Sequence, residues 1–178
     1  MLEHAQRKEI GAVGAKLLYP DDTIQHAGVV MGLGIAGHAF KHLSHNNPGY
    51  FFHPYLVRNY CCVTAACLMM KKKLFEEIGG FNENNLSVSF NDVDLCLRLI
   101  EKGYYNVWTP YAELYHHESL SRGDDNENNL KLKNPEKYER VKRENEFMRV
   151  KWEKYLKKDP FYSPNLTKRR EDFGLRLE

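Results

Sequence analysis

The chain has no apolar run near the roughly 20 residues that a membrane-crossing helix needs, so no such helix is expected within it. Its first residues, MLEHAQRKE, are polar and charged and have no signal-peptide character. They read as the middle of a helix, which suggests a chain that begins partway into a larger domain. The four cysteines, Cys61, Cys62, Cys67 and Cys96, form no Cys-x-x-Cys pair and no Cys/His set suited to zinc. Reduced thiols in a cytosolic protein account for them most simply. A large excess of either charge is absent as well. The net charge is +2, and the Lys and Arg after residue 131 alternate with Glu as on a solvated helix face. Nucleic acid is therefore not an expected partner. Internal repeats are absent, and no Asp or Glu lies between Asp22 and Glu76.

What is present suits a folded domain. The 178 residues suffice for one sizeable core, and 42% of them are hydrophobic. The 11 Tyr and 9 Phe can line a polar cleft or simply fill core and surface. GAVGAKLLY reads as a buried strand, Tyr19-Pro20-Asp21-Asp22 as a turn, and TIQHAGVVMGLG as a second strand closing a hairpin. Gly32 to Gly37 spell Gly-x-Gly-x-x-Gly. A dinucleotide fingerprint needs a helix next and an acid about 20 residues on. Neither follows, so these glycines belong to a loop. That loop, about residues 32 to 54, holds His38, His42, His45 and His53 at spacings without metal-site regularity. Residues 55 to 73 read as one long strand, bent near Thr64-Ala65-Ala66, whose small side chains admit a ligand or tight packing. A short helix then ends at Gly79-Gly80.

The stretch from Ser87 to Ser121 carries the chemistry. Asn91 is a good N-cap, and Asp92 and Asp94 fall in the first turn of a helix whose Val93, Leu97 and Ile100 form an apolar stripe. Gly103 ends that helix. Asn106 to Tyr115 is extended, and Pro110 predicts a bulge or a sheet edge there. The acids can be ordinary helix-start residues, favoured by the helix dipole, or Asp92 can be a general base at the mouth of a cleft with Asp94 binding a substrate hydroxyl. His116 and His117 at the strand end can bind a divalent metal or serve structurally. At most one of them shares a face with Asp92. Arg122 suits a phosphate. Pro135 opens an amphipathic helix of about 20 residues, with Tyr138, Val141, Met148, Trp152 and Tyr155 on one stripe and Asn145 in its polar slot.

These blocks resemble a family. VGAKLLYPDDTIQHAGVV, VTAACLMMKKKLFEEIGGFNE, FNDVDLCLRLIEKGYYNVWTPYAELYHHESLSRG and DPFYSPNLT are similar to the C-terminal half of glycosyltransferase family 2 enzymes with the GT-A fold, of the bacterial polysaccharide-synthesis type. The resemblance implies an α/β fold, a partial GT-A architecture with a mixed sheet, flanking helices and a C-terminal amphipathic helix. It divides the chain into residues 1–123, the acceptor-side half of a catalytic domain, and residues 124–178, a polar linker, a helix and a tail. It implies an inverting transfer of a sugar from a nucleotide-sugar donor to a glycan or lipid-linked acceptor. Asp92 is then the general base, Asp94, Thr64, Ala65, Ala66 and Arg122 contact substrate, and His116 or His117 helps hold a divalent metal, Mg or Mn. The family pattern has Glu where this chain has Asn91. The family's earlier Asp-x-Asp metal motif has no counterpart before Asp92. The expectation is thus a chain without its donor-binding half, inactive alone, cytoplasmic or peripheral at the inner face of the membrane, and prone to dimerise. The alternative is a non-catalytic interaction module.

Overall fold

A computed structural model of the chain describes residues 1–117 and 134–177. It is α/β, built on a mixed sheet. After a short helix α1 (Leu2–Ala5), strand β1 (Ile10–Leu18) runs through the centre with all nine residues buried. Gly14 makes this possible: a Cβ there would lie 2.6 Å from the Cβ of Val63. On one side β1 pairs in parallel with β7 (Tyr105–Tyr115). The other side is shared by two antiparallel strands, β6 (Leu68–Met70) along Ala12 to Gly14 and β2 (Ile24–His26) at Leu17 and Leu18. β5 (Arg58–Tyr60) lines the outer side of β7. The expected hairpin of β1 and β2 is thus present, and the Pro110 bulge as well. The pairing jumps from Ala15–Thr109 to Lys16–Glu113, leaving Pro110, Tyr111 and Ala112 without partners on β1.

The predicted second strand splits at Gly28. That residue adopts φ +99°, and a Cβ on it would lie 2.3 Å from the Tyr60 ring. The chain therefore turns, and β3 (Val29–Met31) leaves the main sheet to pair with β4 (Ala36–His38). Gly32 and Gly34, both at positive φ, make the connection, so the Gly-x-Gly-x-x-Gly run is a hairpin turn, as its sequence context suggested.

The single long strand expected over residues 55 to 73 is a correction. It is two strands on opposite sides of β1 and β7, separated by a 3-10 turn over Ala65–Cys67. The backbone leaves the ladder there because its donors are taken otherwise. The Thr64 hydroxyl accepts from the Ala66 N–H, and a carboxylate takes the Ala65 N–H. Helix α2 (Lys72–Glu77) ends at Gly79 and Gly80, both at positive φ, as expected.

Helix α3 (Asn91–Glu101) packs on β1 and β7 and buries Val93, Leu95, Cys96, Leu97 and Leu99. Helix α4 (Pro135–Lys151) begins with Asn134 accepting the Lys137 N–H at 3.0 Å. The predicted 20-residue helix breaks at Trp152, and α5 (Glu153–Lys157) follows. Met148, Trp152, Tyr155, Tyr162, Leu166 and Phe173 join the same buried cluster as Leu18, Met31, Leu74 and Leu97. In packing, then, residues 134–177 share their core with residues 1–117. The linker over residues 124–133 lies outside the described residues. No helix among the described residues is long and apolar enough to cross a membrane.

Candidate functional site

The N-terminus of α3 meets the Thr64–Ala65 corner. Asp92 is half-buried there. Its Oδ2 accepts from the Ala65 N–H at 2.9 Å and from the Thr64 hydroxyl at 3.2 Å, and its Oδ1 accepts from the Val93 N–H at 2.8 Å. A carboxylate offers about four acceptor positions, so one remains open. Ala65 and Ala66 are exposed beside it. The structure therefore brings together Asp92, Thr64 and Ala65, three residues singled out from sequence, with Ala66 adjacent.

The helix start differs in detail from expectation. Asn91 is the first helical residue and not the cap, and its side chain accepts from the Asp92 N–H at 2.8 Å. The capping position falls to Phe90, at φ +59° and with no side-chain cap bond. A bulky residue in the left-handed region stores roughly 1–3 kcal/mol of strain, a cost that clusters at functional sites.

Asp94 points elsewhere. It is 0% exposed. Oδ2 accepts from Arg98 Nε at 2.8 Å, and Oδ1 from Lys151 Nζ at 2.7 Å and Trp152 Nε1 at 2.9 Å. Arg98 also donates to the carbonyls of Ile78 and Gly80, both at 2.6 Å. The carboxylate expected to touch a substrate hydroxyl is thus enclosed, joining α3 to the end of α4.

His116 lies just past β7, half-buried, with Nδ1 2.6 Å from Gln25 Oε1, while its carbonyl accepts from Gln25 Nε2 at 3.1 Å. Nδ1 therefore carries the hydrogen, and Nε2 is left as the possible metal donor. His117 is exposed. Among the described residues no three His, Cys, Asp or Glu side chains converge on one point. Arg122 lies outside the described residues.

The four loop histidines are dispersed. His42 stacks on Tyr19, His45 approaches Lys16 and Glu113, and His53 packs against Phe40 and Phe173. His38 has its Nδ1 3.0 Å from that of His26, a residue that sequence reasoning did not single out. His26 is fully buried on β2, and its Nε2 accepts from the Thr64 N–H at 3.4 Å. The hydrogen-bond network thus assigns its hydrogen to Nδ1, facing His38. Burial, and then the His38 charge, push its pKa well below the ordinary value, so the ring is neutral. A lone imidazole directly before the apolar run Ala27–Met31 was the available signal.

Glu144 was missed too. It is 2% exposed and accepts from the Ser87 hydroxyl, the Val88 N–H and the Ser89 N–H at 3.1, 3.1 and 3.2 Å. From α4 it thereby fixes the loop that leads into α3. It fills the slot in the helix stripe that the sequence reading gave to Asn145. Residues 144 and 145 both fit the three-and-four spacing, and a carboxylate there demanded a buried partner.

No family model matches the chain. It is 50% identical over 176 residues to an uncharacterized protein, y4gI, of Sinorhizobium fredii, covering 98% of this chain and 19% of that protein. It is 40% identical over 188 residues to the O-antigen biosynthesis protein RfbC of Myxococcus xanthus, covering 99% of this chain and 13% of that protein. Over 63 residues it is 36% identical to an N-acetylglucosaminyl-diphospho-decaprenol L-rhamnosyltransferase of Mycobacterium tuberculosis, covering 35% of this chain and 20% of that enzyme. The chain spans a fifth or less of the length of these relatives.

Proposed function

We propose that this chain is the acceptor-side part of a glycosyltransferase of family 2 type, with Asp92 as the general base. The single observation that carries the reading is the Asp92 carboxylate held at a helix start, with one acceptor position open beside an exposed Ala65–Ala66 corner. The names of the Myxococcus and Mycobacterium relatives support the transferase class.

In this reading an acceptor hydroxyl docks at the Ala65–Ala66 corner and gives its proton to the free lone pair of Asp92. Its oxygen forms a bond to the anomeric carbon of a nucleotide sugar. The bond from that carbon to the diphosphate breaks, and the nucleoside diphosphate leaves with the electron pair, inverting the centre. The Thr64 hydroxyl and the Ala65 N–H keep the carboxylate from rotating away. This is the positioning on which general-base catalysis depends, worth about 10²–10⁴-fold. The nucleotide sugar, a glycan or lipid-linked acceptor, and a divalent Mg or Mn ion belong to the complete enzyme in this proposal, with the donor-binding elements supplied by a further segment or subunit.

The test is a chimaera in which this chain replaces the matching segment of the Myxococcus protein, scored by O-antigen production. Asp92→Asn should cut product at least 100-fold, while the protein accumulates to the normal level. An equally active Asp92→Asn chimaera would sink the proposal. It would leave the second reading, an interaction module, which the exposed Phe51, Phe52 and Tyr111 side chains favour.

A further inference from the structure

Between the 3-10 turn over Tyr50–Tyr55, strand β5 and the tail after α5 lies a cavity of about 460 Å³. It shares no side chain with the Asp92 cluster. Arg58, Lys157, Lys158 and Lys168 line it, and among the described residues Asp159 is the only acid to do so. Asp159 is already committed: Oδ2 accepts from the Met31 N–H and Oδ1 from the Phe161 N–H, both at 2.8 Å. His53, on the same wall, adds no charge near neutrality, because burial and then the Arg58 charge lower its pKa to about 4. Lys157 is paired with Glu153 and Lys168 donates to the Leu156 carbonyl, but the wall as a whole keeps a positive excess.

Two polar atoms in this wall are stranded. Nη1 of Arg58 and Nδ1 of His53 are buried and meet no hydrogen-bonding partner among the described residues. An unmet buried polar group costs roughly 1–3 kcal/mol and calls for a specific reason. The Arg58 guanidinium is held in place by rings, 5.3 Å from the centre of Tyr60 and 6.0 Å from that of Phe173. A planar fork fixed over aromatics, with an N–H left over, is the arrangement that suits an oxyanion. The positive region also continues. An adjoining cleft of about 560 Å³ shares Lys157 and Lys168, adds Arg169, Arg170 and Arg176, and has no acid among its described lining residues.

We propose that this cavity binds a phosphate-bearing ligand, with Arg58 supplying the paired N–H donors, Lys157 and Lys158 neutralising the charge, and Tyr50 and Phe173 flanking the group attached to the phosphate. The site stands independently of the transferase reading. The phosphate can come from a soluble sugar phosphate or nucleotide, or from a lipid headgroup.

The experiment uses the purified chain with two probes, inorganic pyrophosphate by calorimetry at low salt and phosphatidylglycerol vesicles by co-sedimentation. Pyrophosphate should bind, and binding should weaken at least tenfold both in Arg58→Gln and in the Lys157→Gln/Lys158→Gln double variant. Lys157 and Lys158 are exposed, so the double variant decides the matter should Arg58→Gln fail to fold. Pyrophosphate binding without sedimentation assigns a soluble ligand; sedimentation that pyrophosphate displaces assigns a headgroup. No binding of either probe, binding undiminished in the double variant, or sedimentation that pyrophosphate leaves unchanged overturns the proposal.

Discussion

Replacing Asp94 with alanine tests the assignment that most changes the sequence-based picture. If the carboxylate is a structural hub, its loss is felt in stability. The buried indole N–H of Trp152, 4% exposed, loses the Asp94 acceptor, at roughly 1–3 kcal/mol. Arg98 loses one charge-assisted bond but retains the Ile78 and Gly80 carbonyls, which limits its contribution to about 1–2 kcal/mol. Lys151, with a third of its side chain exposed, turns to water at little cost. The sum, about 2–5 kcal/mol, overlaps what breaking a buried ion pair costs. With a urea dependence of about 2 kcal/mol per molar, the unfolding midpoint should fall by roughly 1–2.5 M. Asp94→Asn, which keeps the shape and loses the charge, should fall between wild type and Asp94→Ala. The assay is equilibrium urea unfolding followed by circular dichroism. A midpoint shift below about 0.5 M for Asp94→Ala would refute the hub and return Asp94 to the substrate role its motif suggested.

Two further outcomes are expected. Glu144→Ala strips three hydrogen bonds from the 87–89 loop and should destabilise by about 2–4 kcal/mol, with faster amide exchange at Val88 and Ser89 as the specific sign; unchanged exchange there would contradict the role given to Glu144. Stability should also fall as the pH drops from about 7 toward 5. His26 and His53 are both depressed by burial first, His53 to about 4, and then by His38 and Arg58 respectively. Below the ordinary histidine value near 6.5 the unfolded chain takes up their protons before the folded one does. Stability is therefore flat above that value and is lost as the pH descends toward the folded values. His53 is only partly buried and contributes the smaller share. His26→Asn should flatten most of the slope, and an unaltered slope in that variant would contradict the assignment.

Much of the frame was legible because it depends on local rules. The Gly79-Gly80 stop, the Pro110 bulge, the β1–β2 hairpin and the Pro135 helix start each follow from one or two residues whose backbone preferences leave little choice. What was not legible depends on partners distant in sequence. Nothing near Thr64 announces that Asp92 will draw the Ala65 N–H out of a strand. Nothing near Trp152 announces that its indole will seek Asp94 and break a helix there. Phe90 as a capping residue contradicts every local preference and persists because the surroundings enforce it.

The two aspartates then have one geometric cause for their different roles. Positions two apart on a helix do not face each other. Once Val93, Leu97 and Leu99 turn one side of α3 into the core, a first-turn pair such as Asp92 and Asp94 must divide, one toward the opening and one inward. The inward member needs cations and donors to be tolerable, and it finds them in Arg98 on its own helix and in Lys151 and Trp152 at the end of α4. Asp92 is thereby fixed from two sides. The Thr64–Ala65 corner holds its carboxylate directly, and Asp94, two residues on, ties the same helix turn to the C-terminal helices. Glu144 adds a third tie through the 87–89 loop. A carboxylate held this way depends on residues 144–152 for its position although none of them touches it. In the transferase reading, changes in α4 should therefore lower turnover more than they weaken acceptor binding, because they move the base and leave the Ala65–Ala66 corner in place.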